Sequence, residues 1–267
     1  MLLGFLEAWA IAASLMLVLW IVQQATRDAG VVDVGWAAGL AILGAFHSLV
    51  SDAPLGRRVL VGGMVVVWGL RLALHLLFDR VIGKPEDGRY QAIRANRGPN
   101  PWIFFLVFFE AQGLLGAILA VPFQVALASR ETFPAITDYL GLGVWLTAVL
   151  GESLADRQLA RFRARPGSRG KTCRDGLWRT SRHPNYFFEW LHWWSYPIVA
   201  FGAPLWALTL TAPAIMLFFL LRVTGIPATE AQALKSRGDD YRDYQRTTSA
   251  FVPWFPKSGG PPKEGAA

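Results

Sequence analysis

Long apolar runs dominate this sequence, and few folds can hide them from water. Seven are read along the chain: Phe5 to Val22, Val31 to Val50, Val59 to Val81, Trp102 to Leu127, Ile136 to about Leu154, about Tyr186 to Phe201, and about Leu205 to Arg222. Each of the first five holds at least about 18 residues, enough at ~1.5 Å per residue to cross ~30 Å of hydrocarbon. Backbone groups in hydrocarbon must be satisfied inside their own segment, which selects helices. The spacing therefore predicts an all-α fold, a polytopic seven-transmembrane-helix bundle. Pro204 suits a tight turn between the last two runs. The first run has no basic segment before it and no Ala-x-Ala site after it, so it reads as a retained helix rather than a signal peptide. Residues 1–256 are expected to form one domain, with 257–267, rich in Gly, Pro and Lys, as a disordered tail.

Composition agrees. Hydrophobic residues make up 53% of the 267 and charged residues 17%, against about 25% charged in soluble domains. The net charge of +7 is read as topology and not as nucleic-acid binding, because the basic residues cluster in particular loops. Between 157 and 185 stand Arg157, Arg161, Arg163, Arg165, Arg169, Lys171, Arg174, Arg179 and Arg182 against Asp175 alone. The 83–101 loop adds Lys84, Arg89, Arg94 and Arg97, and the segment after Arg222 is also basic. Seven spans put these three segments on one side, the cytoplasmic one by the positive-inside rule, with the N-terminus outside. Arg57 and Arg58 in the 51–58 turn run against it.

Charged and strongly polar residues within apolar spans are costly, at least ~2.5–3.5 kcal/mol for a charge on insertion scales, and tend to be functional. Here they are Asp33, Arg71, His75, Glu110, Gln112, Glu152 and Glu189. They can pair with one another, for example Arg71 with Asp33 or Glu110, or line a polar cavity open to the cytoplasm. His47, near a span end, reads as interfacial.

The stretch from Gly176 to Trp190, GLWRTSRHPNYFFEW, carries the most chemistry. Pro184 suits the first turn of a helix, whose free N–H groups can face an anion. Guanidinium groups match phosphate oxygens, so the basic run fits either a polyanionic cofactor, on which its arginines would converge beside an enclosed site, or anionic lipid headgroups. Asn185, Tyr186 and Glu189 add a polar face that lipid does not explain. The lone Cys173 excludes an intramolecular disulfide. Its arginine-rich setting allows a lowered pKa, or the thiol is incidental. The four His lack ligand spacing, so no metal site is expected. No Gly-rich dinucleotide loop follows a strand.

Arg182-His183-Pro184-Asn185-Tyr186 followed by Glu189 is similar to a motif of steroid 5-alpha-reductases, sterol C14-reductases and isoprenylcysteine-type membrane methyltransferases. Glu152-x-x-x-Asp156-x-Gln158 upstream, Asp240-Tyr241-Arg242-Asp243-Tyr244 and Val252-Pro253-Trp254-Phe255-Pro256 downstream extend the likeness. The N-terminal half adds Val32-Asp33-x-x-Trp36, Trp68-Gly69-Leu70-Arg71-Leu72 and Gln112-Gly113. Over nearly its whole length the chain resembles the bacterial branch of the steroid 5-alpha-reductase family. That resemblance implies a multi-pass integral protein of the bacterial inner membrane. It would bind NADPH from the cytoplasm and reduce the double bond of a 3-oxo-Δ4 steroid or similar enone lipid. By position, Asp156, Arg163, Lys171, Arg174, Arg182, His183, Asn185, Tyr186, Glu189, Arg222, Glu230 and Tyr241 would surround the cofactor. Phe188 departs from the family, which usually has Gly there, and Glu152 stands where animal reductases have Asn. Val32-Asp33 replaces their Gln-Glu pair, and their Tyr partner aligns best with Trp68.

Reduction of an enone needs hydride at the β-carbon and a donor for the developing enolate oxygen. Asp33 is the leading donor, because a carboxyl in an apolar pocket can stay protonated; a salt bridge to Arg71 is the structural alternative. Trp36, Trp68, Arg71, His75 and Tyr90 line the site or donate. The competing expectation is an S-adenosylmethionine-dependent methyltransferase of the isoprenylcysteine or phospholipid type, whose donor carries no phosphate for the arginines. A lipid-binding scaffold would explain the hydropathy but not the clustered His, Asn, Tyr and Glu.

Overall fold

A computed structural model describes residues 1–98, 101–129 and 132–257. Apart from Lys257, the expected tail lies outside them. The described residues are helical, with one isolated bridge between Ser181 and Ser249 in place of a sheet. The helices are α1 (Leu2–Thr26), α2 (Val31–Val50), α3 (Leu55–Leu76), α4 (Gly88–Asn96), α5 (Trp102–Leu119), α6 (Val121–Leu127), α7 (Ile136–Arg163), α8 (Pro184–Val199), α9 (Thr211–Phe218), α10 (Ile226–Arg237) and α11 (Asp239–Thr247). π-helical turns extend α3 over Leu77–Val81 and α9 over Phe219–Val223.

Five stretches are long and apolar enough to cross a membrane: Leu2–Thr26, Val31–Val50, Leu55–Val81, Trp102–Leu127 and Trp206–Arg237. The chain is thus all-helical with the build of an integral membrane protein. The fifth and sixth runs of the sequence are not among these five. α7 has 28 residues, but Asp138, Glu152 and Asp156 interrupt its apolar character. α8 has only 16 residues, about 24 Å at 1.5 Å each.

Two compact units divide the chain. The first comprises Met1–Leu142 and Tyr196–Ala212, the second Gly143–Ser195 and Pro213–Ala267.

In the first unit small residues set the helix spacing. A Cβ added at Gly69 of α3 would lie 2.8 Å from the Ala37 carbonyl oxygen and 2.9 Å from the Ala41 Cβ of α2. One added at Gly113 of α5 would stand 3.3 Å from the Ala12 backbone of α1. In lipid, hydrophobicity gives helices no reason to associate, so such backbone approach is what packing rewards. Between α1, α2, α4 and α5 lies a cluster of Met16, Ala29, Val32, Tyr90, Phe105 and Phe109.

Arg57 and Arg58 have local duties that explain their presence in the turn. Fully buried Arg57 donates from Nη2 to Asp138 Oδ2 at 3.0 Å and from Nη1 to the Ser129 carbonyl at 3.1 Å. Arg58 donates to the Ser48 and Leu49 carbonyls at 2.6 and 2.9 Å, closing the C-terminus of α2.

The second unit is stitched by the end of the described chain. Arg182 N donates to the Ser249 carbonyl (2.8 Å), Ser181 Oγ to the Phe251 carbonyl (2.8 Å) and Trp254 N to the Thr180 carbonyl (2.9 Å). Tyr244 donates to the Trp178 carbonyl, and Trp178 Nε1 donates at 2.9 Å to the Ala155 carbonyl of α7.

Removing the Asp138 carboxylate leaves Arg57 buried and unneutralised by it. Asp138→Ala should cost about 3–5 kcal/mol, whereas pairing Asp138→Leu with Arg57→Met should restore much of the loss. Thermal denaturation in detergent measures both, and a single-variant loss below ~1 kcal/mol would remove the pair from the structural core.

Candidate functional site

α8 begins beside the most elaborate polar cluster of the second unit. Pro184 opens the helix, and the preceding His183 N is held by Ser181 Oγ at 3.1 Å. Glu230 on α10 is the hub. Its Oε1 accepts from Arg182 Nε at 2.7 Å and lies 3.2 Å from His183 Nε2; its Oε2 accepts from Gln245 Nε2 at 2.7 Å. Arg182 also donates from Nη1 to the carbonyls of Gln245 (3.0 Å) and Thr248 (2.7 Å). The His183 and Tyr186 rings stack with centroids 5.3 Å apart, and the Tyr186 hydroxyl is 3.0 Å from Thr229 Oγ1. Burial raises the Tyr241 pKa, as does the nearby Glu230 charge.

The structure thus joins Arg182, His183, Tyr186, Glu230 and Tyr241 from the expected cofactor set. Asn185 adjoins them on α8, its Oδ1 buried without a hydrogen-bond partner. Glu189, one turn on, is buried and accepts from Trp193 Nε1 at 3.3 Å. Arg174 goes elsewhere, to Asp240 Oδ1 at 3.1 Å. Asp156 is half-buried on α7, while Arg163, Lys171 and Arg222 are exposed.

The basic run lies mostly at the surface. Of the nine basic residues between 157 and 185, all but Arg182 are exposed, and Arg182 is consumed by Glu230 and two carbonyls. Of the two readings of Cys173, the structure favours the incidental thiol. The thiol is buried, and burial pushes its pKa up despite the neighbouring arginines. Phe188 is accommodated by an exchange of sizes, since its ring fills the space a side chain at Gly151 would need.

Gln245 and Thr229 escaped the sequence reading. Gln245 sits one residue past the Tyr-rich motif, and only α11, which turns Tyr241 and Tyr244 inward, brings it to Glu230.

The first unit holds a second cluster. Asp33, in the first turn of α2, accepts from Tyr90 Oη at 2.7 Å through Oδ1 and from Arg89 Nη2 at 2.9 Å through Oδ2, with Arg80 Nη1 at 3.8 Å. Asp87 caps α4 by accepting from Arg89 N at 2.9 Å. Burial raises the pKa of Tyr90, as does the adjacent Asp33 charge. For Arg89 burial acts to lower the pKa, but Asp87 and Asp33 outweigh it and raise it. Both Asp33 oxygens accept, one from Tyr90 and one from Arg89. In the sequence Arg89 stands out only as one charge of a basic loop. Trp68, Arg71 and His75 follow one face of α3 at helical spacing; Trp68 is fully buried. Trp36 packs on the Tyr90 cluster with its Nε1 buried and unpartnered. Among the described residues no group of three or more His, Cys, Asp or Glu could hold a metal ion.

A family model described as a protein of unknown function, DUF1295, matches residues 19–248. The chain belongs to that family. No curated protein and no solved structure matches it. The DUF1295 match takes in both clusters, Asp33 to Tyr90 and Arg182 to Gln245.

Burial lowers the His183 pKa from 6.5, outweighing Glu230. A depressed folded pKa means that the unfolded chain takes up the proton first. The stability from the neutral ring is therefore full above 6.5 and is lost as pH falls through the lower folded value. The melting temperature should fall as pH drops from 7 to 5, and His183→Gln should flatten that slope. An unchanged slope in the variant would assign the effect to other groups.

Proposed function

We propose that this DUF1295 protein is a membrane-embedded, NADPH-dependent reductase of the steroid 5-alpha-reductase type. It reduces the carbon–carbon double bond of a 3-oxo-Δ4 steroid or similar enone lipid. The reading places seven spans in the bacterial inner membrane, α7 and α8 completing the five apolar stretches, with the N-terminus outside and the basic loops cytoplasmic.

The observation that carries the reading is the assembly at the start of α8. A five-residue polar node, buried to different degrees, sits beside an Asn185 oxygen that lacks a donor. A nucleotide fits the residues present. Asn185 Oδ1 would accept from an amide or amino N–H, Tyr186 and the half-buried α8 face would orient a ring, and the exposed Arg163, Lys171 and Arg179 would meet phosphates. When bound, NADPH supplies the hydride. The rest is assigned to the chain. Arg89 fixes the Asp33 carboxyl by a hydrogen bond, Asp33 holds the Tyr90 hydroxyl, and that hydroxyl turns its proton towards the enone oxygen as enolate charge develops. Trp36 Nε1 is a second donor for the same oxygen.

One observation favours the methyltransferase reading as runner-up: arginines exposed to solvent and an Arg182 held by Glu230 no longer demand a phosphate. The two readings part on cofactor. NADPH added to the detergent-purified protein should show enhanced, blue-shifted fluorescence and raise the melting temperature, and S-adenosylmethionine should do neither. Asn185→Ala should weaken NADPH binding about tenfold, the loss of one buried hydrogen bond. Stabilisation by S-adenosylmethionine alone would reverse the assignment.

Asp33→Asn and Tyr90→Phe should each lower kcat for an enone by about 10²-fold or more while leaving NADPH affinity unchanged. Steady-state assays on both variants check this, and full activity in either would transfer the donor role elsewhere.

A further inference from the structure

The second unit carries an apolar patch outside its membrane-crossing helices. On such helices exposed apolar side chains are expected, because lipid covers them. Val252, Trp254 and Phe255 are 51, 69 and 84% exposed, yet they follow α11 and lie outside the five apolar stretches. The Trp254 and Phe255 rings are 6.3 Å apart between centroids and form one surface.

Phe251 sets the depth of that surface. Its ring lies 5.8 Å from Phe187 and 5.7 Å from Trp190 of α8, and it shares a cluster with Leu217 of α9 and Leu220 of the π-turn. Leu217 and Leu220 belong to the apolar stretch Trp206–Arg237, and exposed Arg222 marks where that stretch turns polar. Phe187 stands in the first turn of α8, about 5 Å inside its start at ~1.5 Å per residue. The polar layer flanking the hydrocarbon is about 5–8 Å thick on each face. The chain therefore leaves the helices at the level where Trp rings collect in membrane proteins.

The backbone suits the same place. Pro253 and Pro256 carry no N–H, while Trp254 N donates to the Thr180 carbonyl at 2.9 Å and Lys257 N to the Thr247 carbonyl at 2.8 Å. A segment whose donors are absent or engaged touches apolar surroundings at little cost. Exposed Lys257 ends it with a cation on a long stem, suited to apolar surface below and a lipid phosphate above. A protein partner would have to meet the patch at membrane depth, where lipid already is.

We propose that Val252–Phe255 is an interfacial anchor. It inserts among the glycerol and upper acyl groups of the phospholipid leaflet on the face where α8 begins, with Lys257 beside the headgroup phosphates. The same strap supplies the Thr248 and Ser249 carbonyls that hold Arg182, so the anchor ties the Glu230 node to the membrane surface. It requires a bilayer and no particular chemistry at that node.

The test uses the full-length protein in nanodiscs of phosphatidylcholine and phosphatidylglycerol. Cys173→Ser removes the lone thiol, and an NBD fluorophore is placed by Trp254→Cys, by Phe255→Cys or, as a water-facing control, by Arg242→Cys on the exposed side of α11. Two anchor positions guard against a folding defect in either variant, and Cys173→Ala replaces Cys173→Ser if that background does not fold. The label at 254, at 255 or at both should be quenched roughly threefold more than the control by a lipid bearing a nitroxide high on its acyl chain, and roughly threefold less by aqueous iodide. Iodide quenching equal to the control at both positions, without nitroxide quenching, overturns the proposal and leaves the patch in water. Shielding from both quenchers overturns it as well and assigns the patch to a protein surface.

Discussion

A carboxylate partly withdrawn from water gathers donors, and Glu230 shows what that demands of a chain. Arg182 and His183 reach it from the segment before α8 and Gln245 from α11. These groups come from two stretches far apart in sequence, and the first is itself held in place. Arg182 is fixed by two carbonyls beyond α11, and His183 is stacked on Tyr186. The bridge between Ser181 and Ser249, and the bonds that follow it to Phe251 and Trp254, continue the same seam. The second unit is built outward from one charge whose desolvation is offset only when all its partners are present.

Asp33 solves the same problem by a different route. Its partners, Arg89 and Tyr90, are neighbours on one short helix whose N-terminus is capped by Asp87. The local sequence thus delivers both donors at once. Glu86, just before that helix, accepts from Ala29 N at 2.8 Å and pairs with Arg94. α4 therefore clamps the α1–α2 turn through polar contacts, while its Tyr90 enters the apolar cluster. A segment that the sequence presents only as a basic loop is a structural and chemical element of the first unit.

What could be read from the chain follows the range of the forces involved. The apolar runs of α1, α2, α3 and α5 are local and intense, and their bounds emerged within a few residues. Arg182, His183 and Tyr186 stand in one compact, resemblance-bearing motif, and Glu230, 47 residues after His183, enters only through the resemblance of the downstream segment. Three kinds of feature were not legible. α4 is short and polar, and its helix depends on a cap and on tertiary ion pairs, not on hydrophobic period. The apparent seventh run is broken into a 3₁₀ turn over Trp206–Leu210, α9 and a π-turn before α10 continues it, and hydropathy is blind to such changes of helical type. The acceptor role of Asp33 depends on Arg89, 56 residues away, and no periodicity links the two.

Charge count and charge use also part company in the 157–185 segment. A dense run of arginines suggests a polyanion by composition alone, yet exposed guanidinium groups suit lipid headgroups, phosphates and plain solvent alike. Exposed pairs such as Arg165 with Asp175, at 2.6 Å and about half accessible, contribute little to stability. Discrimination lies instead where a polar atom is buried and its partner must be specific: Asn185 Oδ1 in one unit and Trp36 Nε1 in the other. An acceptor in the second unit and a donor in the first are complementary demands. The former suits a ligand bearing N–H groups, as an amide-containing ring does, and the latter a ligand bearing only oxygens, as an oxygenated lipid does. Two chemically different ligands answer that pattern better than one.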